Sequence, residues 1–274
     1  MQNLKYCLLT VLLYLNLSAC IMSDSSHDAE QVNSQIILGP SGQAGEHTAV
    51  YQDTEGNVYG YYEYLPNEFT ENSDEIALIF YWNGSNAITG NGQEELKKLL
   101  TQGLPQLINQ GQDFSTIIIS AMMTDWKTAD VSPFVDYIFR RYRGHYDPDR
   151  VYMTGFSAGG GLTIRYATVH SDNLAAIVPI APAIRSPKLW QPNHSMASLP
   201  SWFFHNRADE VVEVWRSEVW HQALVEKGGE HKITLYEKEG HYAWQETYKN
   251  PELWHWLLSK SKSRDKAKPH SEES

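Results

Sequence analysis

The chain has 274 residues, of which 42% are hydrophobic and 20% are charged, so it is long enough to bury a full core and has an ordinary globular composition. Its formal net charge of −11 argues against nucleic acid as a partner, because recognition of phosphate requires a basic surface. Cys7 and Cys20 are its two cysteines, so the sequence beyond residue 20 contains neither a disulfide pair nor a cysteine cluster for a metal. We predict no cofactor and no metal.

The first twenty residues differ in character from the rest of the chain. Lys5 is their only charge, and residues 7–17 form an apolar run that is too short to span a membrane but is typical of an export signal. The run ends in Leu17-Ser18-Ala19-Cys20, which resembles the lipobox of bacterial lipoproteins. This resemblance implies a signal peptide over residues 1–19, lipidation of Cys20, and anchoring at the bacterial cell envelope (outer membrane, periplasm or cell surface). The alternative is an ordinary secretory signal that leaves Cys20 as a free thiol.

Composition also predicts where the folded domain begins and ends. Residues 20–34 are short and polar, which is typical of a flexible tether. Residues 259–274 are rich in lysine and serine and have almost nothing to bury, which predicts a disordered tail. The remaining residues, 35–258, form the predicted folded domain.

Strand-like and helix-like segments alternate along this domain. The predicted strands are Thr48–Gln52, Val58–Leu65, Ile76–Trp82, Thr116–Ser120, Arg150–Thr154, Ala175–Ile180, Trp202–His205 and Lys232–Tyr236. The predicted helices are Gln93–Gln102, Pro133–Tyr142, Ala158–His170, Val212–Lys227 and Pro251–Leu258. The first two strands flank a turn-rich stretch and predict an antiparallel hairpin. The remaining alternation predicts a three-layer α/β fold with a mostly parallel sheet.

The segment Gly155-Phe156-Ser157-Ala158-Gly159 carries the G-x-S-x-G pattern. It lies between a predicted strand and a predicted helix, as a nucleophilic serine on a strand–turn–helix elbow requires. The alternative is a glycine-rich turn that binds phosphate, but neither the G-x-G-x-x-G spacing nor a lysine-containing P-loop is present. We therefore predict that Ser157 is a nucleophile.

A serine nucleophile needs a base and an orienting acid, and on this fold their order along the chain is serine, acid, histidine. His241 follows the last predicted strand through a short loop, at the edge of the sheet where ligands bind. Asp209 follows the preceding strand at the same edge, with Glu210 as its main rival. We predict His241 as the base and Asp209 as the acid, and we interpret His205 as a packed structural residue.

The developing oxyanion requires hydrogen-bond donors. One is expected to be the backbone N–H of Ala158, directly after the nucleophile. The other is expected from the loop after the third strand, which reads Asn83-Gly84-Ser85-Asn86.

Three stretches carry a family resemblance that extends over residues 48–258. They run from Asp147 to Gly160, from His205 to Val212, and from Gly240 to Trp244. They resemble bacterial phospholipase/carboxylesterase-like and polyhydroxybutyrate-depolymerase-like (feruloyl-esterase-like) esterases of the α/β-hydrolase superfamily. The resemblance implies a catalytic triad of Ser157, Asp209 and His241.

The same resemblance implies oxyanion donors at Ala158 and at the backbone of Ser85 or Gly84. These esterases usually have His-Gly where this chain has Asn83-Gly84. Because the donor is a backbone N–H, loss of the imidazole need not remove it, but the geometry of this loop is left open.

Aromatic residues are expected near the predicted site. Trp126, Trp190 and Trp244 are candidate substrate contacts, and packing in the core or at the rim is the alternative for each. The proline-containing stretch Ala183–Leu199 is the candidate cap over the acyl pocket.

The predicted function is hydrolysis of carboxylic esters, small or polymeric, through an acyl-serine intermediate at the cell envelope. One alternative is a peptidase of the prolyl-oligopeptidase type, which generally carries a further large domain. Another is a catalytically weak surface lipoprotein that uses the fold for binding. We expect membrane contact through the lipid anchor only.

Overall fold

The structure, a computed structural model, describes residues 39–50, 58–70, 74–85, 93–123, 125–127, 130–185 and 194–262. Its strands are β1 (His47–Val50), β2 (Val58–Tyr64), β3 (Ala77–Trp82), β4 (Thr116–Met123), β5 (Val151–Phe156), β6 (Ala176–Ile180), β7 (Ser201–Ala208) and β8 (His231–Glu239). Its α-helices are α1 (Gln93–Leu96), α2 (Gly103–Asn109), α3 (Ser132–Arg141), α4 (Ala158–His170), α5 (His194–Ala197), α6 (Trp215–Val225), α7 (Trp244–Thr247) and α8 (Pro251–Leu258). The 3₁₀ segments Lys97–Thr101 and Ser171–Asn173 follow α1 and α4.

The eight strands form one sheet in the order β1-β2-β4-β3-β5-β6-β7-β8. β1 pairs with β2 and β2 with β4 in antiparallel fashion, and every pair from β4 onward is parallel. Parallel strands end at a common edge, so the segments that follow β3, β5, β7 and β8 meet there. The prediction of a mostly parallel α/β sheet with an antiparallel N-terminal pair is confirmed.

The central strands are apolar because both of their faces are covered. β3 (ALIFYW), β4 and β5 are buried along their whole length. The side chains that they present to the two sides of the sheet belong to two separate hydrophobic clusters. Because both faces are buried, these strands have no solvent-facing positions at which polar residues would alternate with apolar ones. Their sequences are therefore continuous apolar runs.

The short helices α5 and α7 were not predicted, and three other differences from the predicted helices affect longer stretches. The helix predicted over Gln93–Gln102 is α1 followed by a 3₁₀ segment. α2 was not predicted: it starts at Gly103, whose φ of 64° requires a glycine, and it has Pro105 in its first turn. The helix predicted from Val212 begins only at Trp215.

The late start of α6 has a physical cause at the end of β7. Asp209 Oδ1 accepts the backbone N–H groups of Val211 and Val212, at 2.9 Å each. This local turn competes with helix formation over the same residues. The carboxylate is thereby held at the edge of the sheet before the helix begins.

Several predictions fall outside the described residues. These are the signal peptide over residues 1–19, the lipidated Cys20, the tether over residues 20–34, Trp190, and residues 263–274 of the tail predicted over residues 259–274. Within the part of the chain that is described, no helix combines the length and the apolar character that crossing a bilayer requires.

Candidate active site

Ser157 occupies the sharp turn between β5 and α4. Its φ of 57° and ψ of −116° lie in a region that residues other than glycine rarely adopt. The surrounding backbone holds it there: the Ser157 N–H donates to the Ile180 carbonyl at 2.9 Å, and its carbonyl accepts from Gly161 and Ala183 at 3.0 and 2.8 Å. This is the geometry of a nucleophile elbow.

Gly159 allows α4 to approach the sheet closely enough to form this elbow. A Cβ atom at this position would lie 2.0 Å from the Trp82 carbonyl oxygen at the end of β3. That carbonyl is part of the backbone and cannot yield as a flexible side chain would. The second glycine of the G-x-S-x-G pattern therefore brings the nucleophile against the loop that follows β3.

Asp209 and His241 meet at the same edge of the sheet. Asp209 lies just after β7, and its Oδ2 is 2.7 Å from Nδ1 of His241 in the loop after β8. The His241 ring packs on Phe156, the residue before the nucleophile, with ring centroids 4.6 Å apart. Glu210, the rival acid, is exposed.

Asp209 is buried, and hydrogen bonds hold its charge in place. Burial alone would raise the pKa of this carboxyl group. Hydrogen bonds from His205, from His241 and from the backbone N–H groups of Val212 and Val211 outweigh that effect, and the pKa falls well below its usual range. The residue therefore remains a carboxylate at neutral pH.

His205 is a packed residue, as the sequence indicated, but it also contacts the acid. Its Nε2 lies 3.2 Å from Asp209 Oδ2 and 2.9 Å from the Val212 carbonyl oxygen. Because both of these atoms accept hydrogen bonds, Nε2 carries a proton. Nδ1 lies 2.7 Å from the Ser217 hydroxyl. His205 thus donates to the carboxylate from the side opposite solvent.

Asn206 was not identified from the sequence, yet it supports the loop that presents His241. Its Nδ2 donates to the Gly240 carbonyl oxygen at 2.8 Å. Gly240 has a φ of 79°, so the chain turns sharply there. No local sequence signal marks this contact, because its two residues are far apart in the chain.

The loop after β3 contains Asn83, where the resembling esterases have histidine. Asn83 is fully buried, and its Nδ2 donates to the Gly84 carbonyl oxygen at 2.7 Å. In a trans peptide the carbonyl and the following N–H point in opposite directions. This hydrogen bond therefore fixes the direction of the Ser85 N–H, one of the expected oxyanion donors. Ala158, the other expected donor, is the first residue of α4, where backbone N–H groups lack an intrahelical acceptor.

A cavity of about 480 Å³ reaches the start of α4, next to Ser157 in the chain. Its described lining includes Ala158 and Gly161 of α4, Ala183 and Ile184 after β6, and Trp126. The candidate cap residues Ala183 and Ile184 thus line it, while residues 186–193 of that stretch lie outside the described part.

The tryptophans predicted as substrate contacts have different environments. Trp126 is half-buried and lines the cavity. Trp244 is only 4% exposed and belongs to the hydrophobic cluster that includes Tyr248 and Leu253. Its burial favours the core-packing alternative, so we do not include Trp244 in the substrate site.

Among the described residues, no group of three or more His, Cys, Asp or Glu side chains is arranged to hold a metal ion.

Comparison with known proteins gives a family match over the region that contains the site. Residues 120–250 match the phospholipase/carboxylesterase family, a stretch that contains Ser157, Asp209 and His241. No curated protein sequence matches the chain significantly.

Solved structures of esterases share the fold. A thermostable esterase is 22% identical with a TM-score of 0.55, and the match covers 77% of this chain and 64% of that one. Esterase 2 from the planctomycete Thermogutta terrifontis, with bound propionate, is 17% identical with a TM-score of 0.55, covering 78% and 94%. The acylaminoacyl peptidase of Pyrococcus horikoshii is 14% identical with a TM-score of 0.52, covering 78% and 42%. This chain thus spans less than two thirds of the thermostable esterase, and at these identities the likeness establishes the fold alone.

The lowered pKa of Asp209 predicts a pH dependence of stability. A carboxyl group whose pKa is depressed by folding stabilises the protein above its unfolded pKa, and this contribution is lost as pH falls through the folded pKa. The free energy of unfolding of the wild type, relative to Asp209→Asn, should fall by about 1 kcal/mol between about pH 5 and pH 3. Urea unfolding at several pH values measures this difference.

Asp172→Asn, which makes the same charge change on an exposed side chain, is the matched control. A wild-type advantage over Asp209→Asn that stays constant or grows as the pH is lowered would contradict the stabilised carboxylate.

Proposed function

We propose that this protein, whose residues 120–250 match the phospholipase/carboxylesterase family, cleaves carboxylic esters through an acyl intermediate on Ser157. The observation that carries the proposal is the 2.7 Å contact between Asp209 and His241 beside a serine in elbow geometry. The three residue types occur in the chain order that this fold uses for its triad.

His241 has the role of general base. Because Asp209 Oδ2 accepts the proton of Nδ1, neutral His241 has the lone pair on Nε2. Nε2 is buried, and it has no hydrogen-bond partner among the described residues. It is therefore available to take the proton from the Ser157 hydroxyl as Oγ attacks the ester carbon.

The reaction then follows the course of a serine hydrolase. The tetrahedral intermediate collapses, the alcohol leaves with the proton from His241 Nε2, and the acyl group remains on Ser157 Oγ. Water, deprotonated by the same nitrogen, attacks the acyl carbon and releases the acid. Asp209 keeps its charge throughout and stabilises the imidazolium that forms in each half-reaction.

Two backbone groups are assigned to the oxyanion. The Ala158 N–H lies at the start of α4, where the helix dipole also favours negative charge. Ser85 or Gly84 supplies the second N–H, and Asn83 positions the peptide between them. A donor held in this way costs no reorganisation when charge develops.

Removal of the nucleophile tests the esterase directly. Ser157→Ala should reduce hydrolysis of p-nitrophenyl acetate to the background rate and abolish labelling by a fluorophosphonate probe. Ser115→Ala is the control, because this exposed serine precedes β4 at the opposite edge of the sheet. Unchanged turnover in Ser157→Ala would disprove the proposal. Cleavage of peptide amides without any ester turnover would favour a peptidase.

The contribution of Asn83 is measurable separately. Asn83→Ala frees the Gly84 carbonyl, and kcat for an activated ester should fall about 10- to 100-fold, somewhat less than loss of a whole oxyanion donor. KM should change much less, since the donor acts mainly on the transition state. A loss confined to KM would indicate that the loop contacts substrate instead.

We further propose that the enzyme is exported and lipid-anchored through Cys20. The supporting observations are the apolar segment over residues 7–17 and the Leu17-Ser18-Ala19-Cys20 motif that ends it.

Metabolic labelling with a palmitate analogue tests the anchor. The label should be incorporated by the wild type and by Cys7→Ser, and should be lost in Cys20→Ser. The two variants make the same change within 13 positions of each other, so they separate lipidation from general effects on export. Label that persists in Cys20→Ser would refute the assignment.

A further inference from the structure

The cavity beside Ser157 is cationic, although the chain as a whole is strongly acidic. Its described lining includes the side chains Lys127, Arg165, Arg185 and Arg216 and contains no aspartate or glutamate. The remaining lining is small or apolar and includes Trp126, Ile184, Val211 and Val212. In a protein with a net charge of −11, four cations in the lining of one cavity form a local reversal of charge.

Two of these cations are fixed to the walls of the cavity. Arg165, on α4, donates through Nη1 to the Lys127 carbonyl oxygen at 2.6 Å and through Nη2 to that of Trp126. Arg216 donates through Nη1 to the Ile184 carbonyl oxygen at 3.0 Å. A carbonyl oxygen orients a guanidinium without cancelling its charge, so both groups are pre-oriented cations.

The carboxylates nearby do not balance these charges. Arg216 Nε pairs with Glu213 at 2.7 Å, and Asp125 acts electrostatically on Arg165. Lys127 and Arg185 are exposed, and the structure assigns neither side chain an ion pair with a described carboxylate. The described lining of the cavity therefore carries more positive than negative charge.

The distance between the cations of the cavity and Ser157 limits the length of a ligand that could contact both. Arg165 lies seven residues after Ala158 on the same helix, which corresponds to about 10 Å along its axis. A substrate with its ester carbonyl at Ser157 and an anionic group at the cations therefore has several bonds between these two groups. The apolar lining between them suits a short hydrocarbon spacer or a ring.

We propose, on the basis of the esterase function argued above, that this cavity selects esters bearing an anionic group, a carboxylate being the simplest. The group is carried on the part of the substrate that fills the cavity, and a short apolar spacer separates it from the scissile bond. Opposite charge also raises the local concentration of such a substrate and its rate of encounter.

Matched ester pairs test the selection. On the acyl side, mono-p-nitrophenyl adipate is compared with p-nitrophenyl hexanoate. On the alcohol side, 4-butyryloxybenzoate is compared with its methyl ester. In one of the two series kcat/KM should favour the anionic ester at least about 10-fold, or about 1.4 kcal/mol. The preferred series identifies which part of the substrate occupies the cavity. Raising NaCl to about 0.5 M should reduce the preference, because salt screens exposed charges.

The double variant Lys127→Gln/Arg185→Gln should lower the ratio of anionic to neutral kcat/KM about 10-fold. Arg143→Gln/Lys227→Gln removes the same charge from exposed side chains outside the cavity lining and should leave that ratio at the wild-type value. Arg165 and Arg216 are not the first choice, because they also hold backbone carbonyls.

The outcomes separate the two proposals. Absence of turnover with every ester by a folded protein overturns the esterase function itself. Turnover of the neutral esters without an anionic preference in either series overturns only the anion selection. A preference that survives Lys127→Gln/Arg185→Gln unchanged also overturns it, because the selecting charge then lies elsewhere.

Discussion

The candidate site depends on the hydrogen bonds to the carboxylate of Asp209. Two histidines and two backbone N–H groups converge on its two oxygens. These donors come from β7, from the loop after β8 and from the turn before α6. A buried charge without them would be strongly destabilising, and with them it fixes three separate segments to one point. The hydrogen bonds that stabilise the buried carboxylate therefore also set the orientation of His241.

The local sequence was sufficient to predict which residues meet at the candidate site. Ser157, Asp209 and His241 follow β-strands directly, and a parallel sheet brings the ends of such strands together whatever the details of packing. The fold class followed from the same alternation of apolar runs and helices. Each of these inferences uses patterns that lie within short segments or in the order of those segments along the chain.

Contacts between distant segments could not be predicted in this way. Asn206 reaches Gly240, and His205 reaches Ser217, through side-chain geometry that only the assembled sheet defines. Trp244 stood next to His241 in sequence and was a candidate substrate contact, yet a short helix turns its ring into the core. The role of Asn83 was left open for the same reason: its amide acts on a peptide bond that the sequence does not orient.

The backbone of Ser157 has a further consequence for how this protein can evolve. A φ of 57° opposes any side chain that has a Cβ atom, and only glycine would adopt it without strain. A glycine there would relieve this strain but would remove the hydroxyl group. On the function proposed above, the demands of stability and of catalysis therefore conflict at this single position.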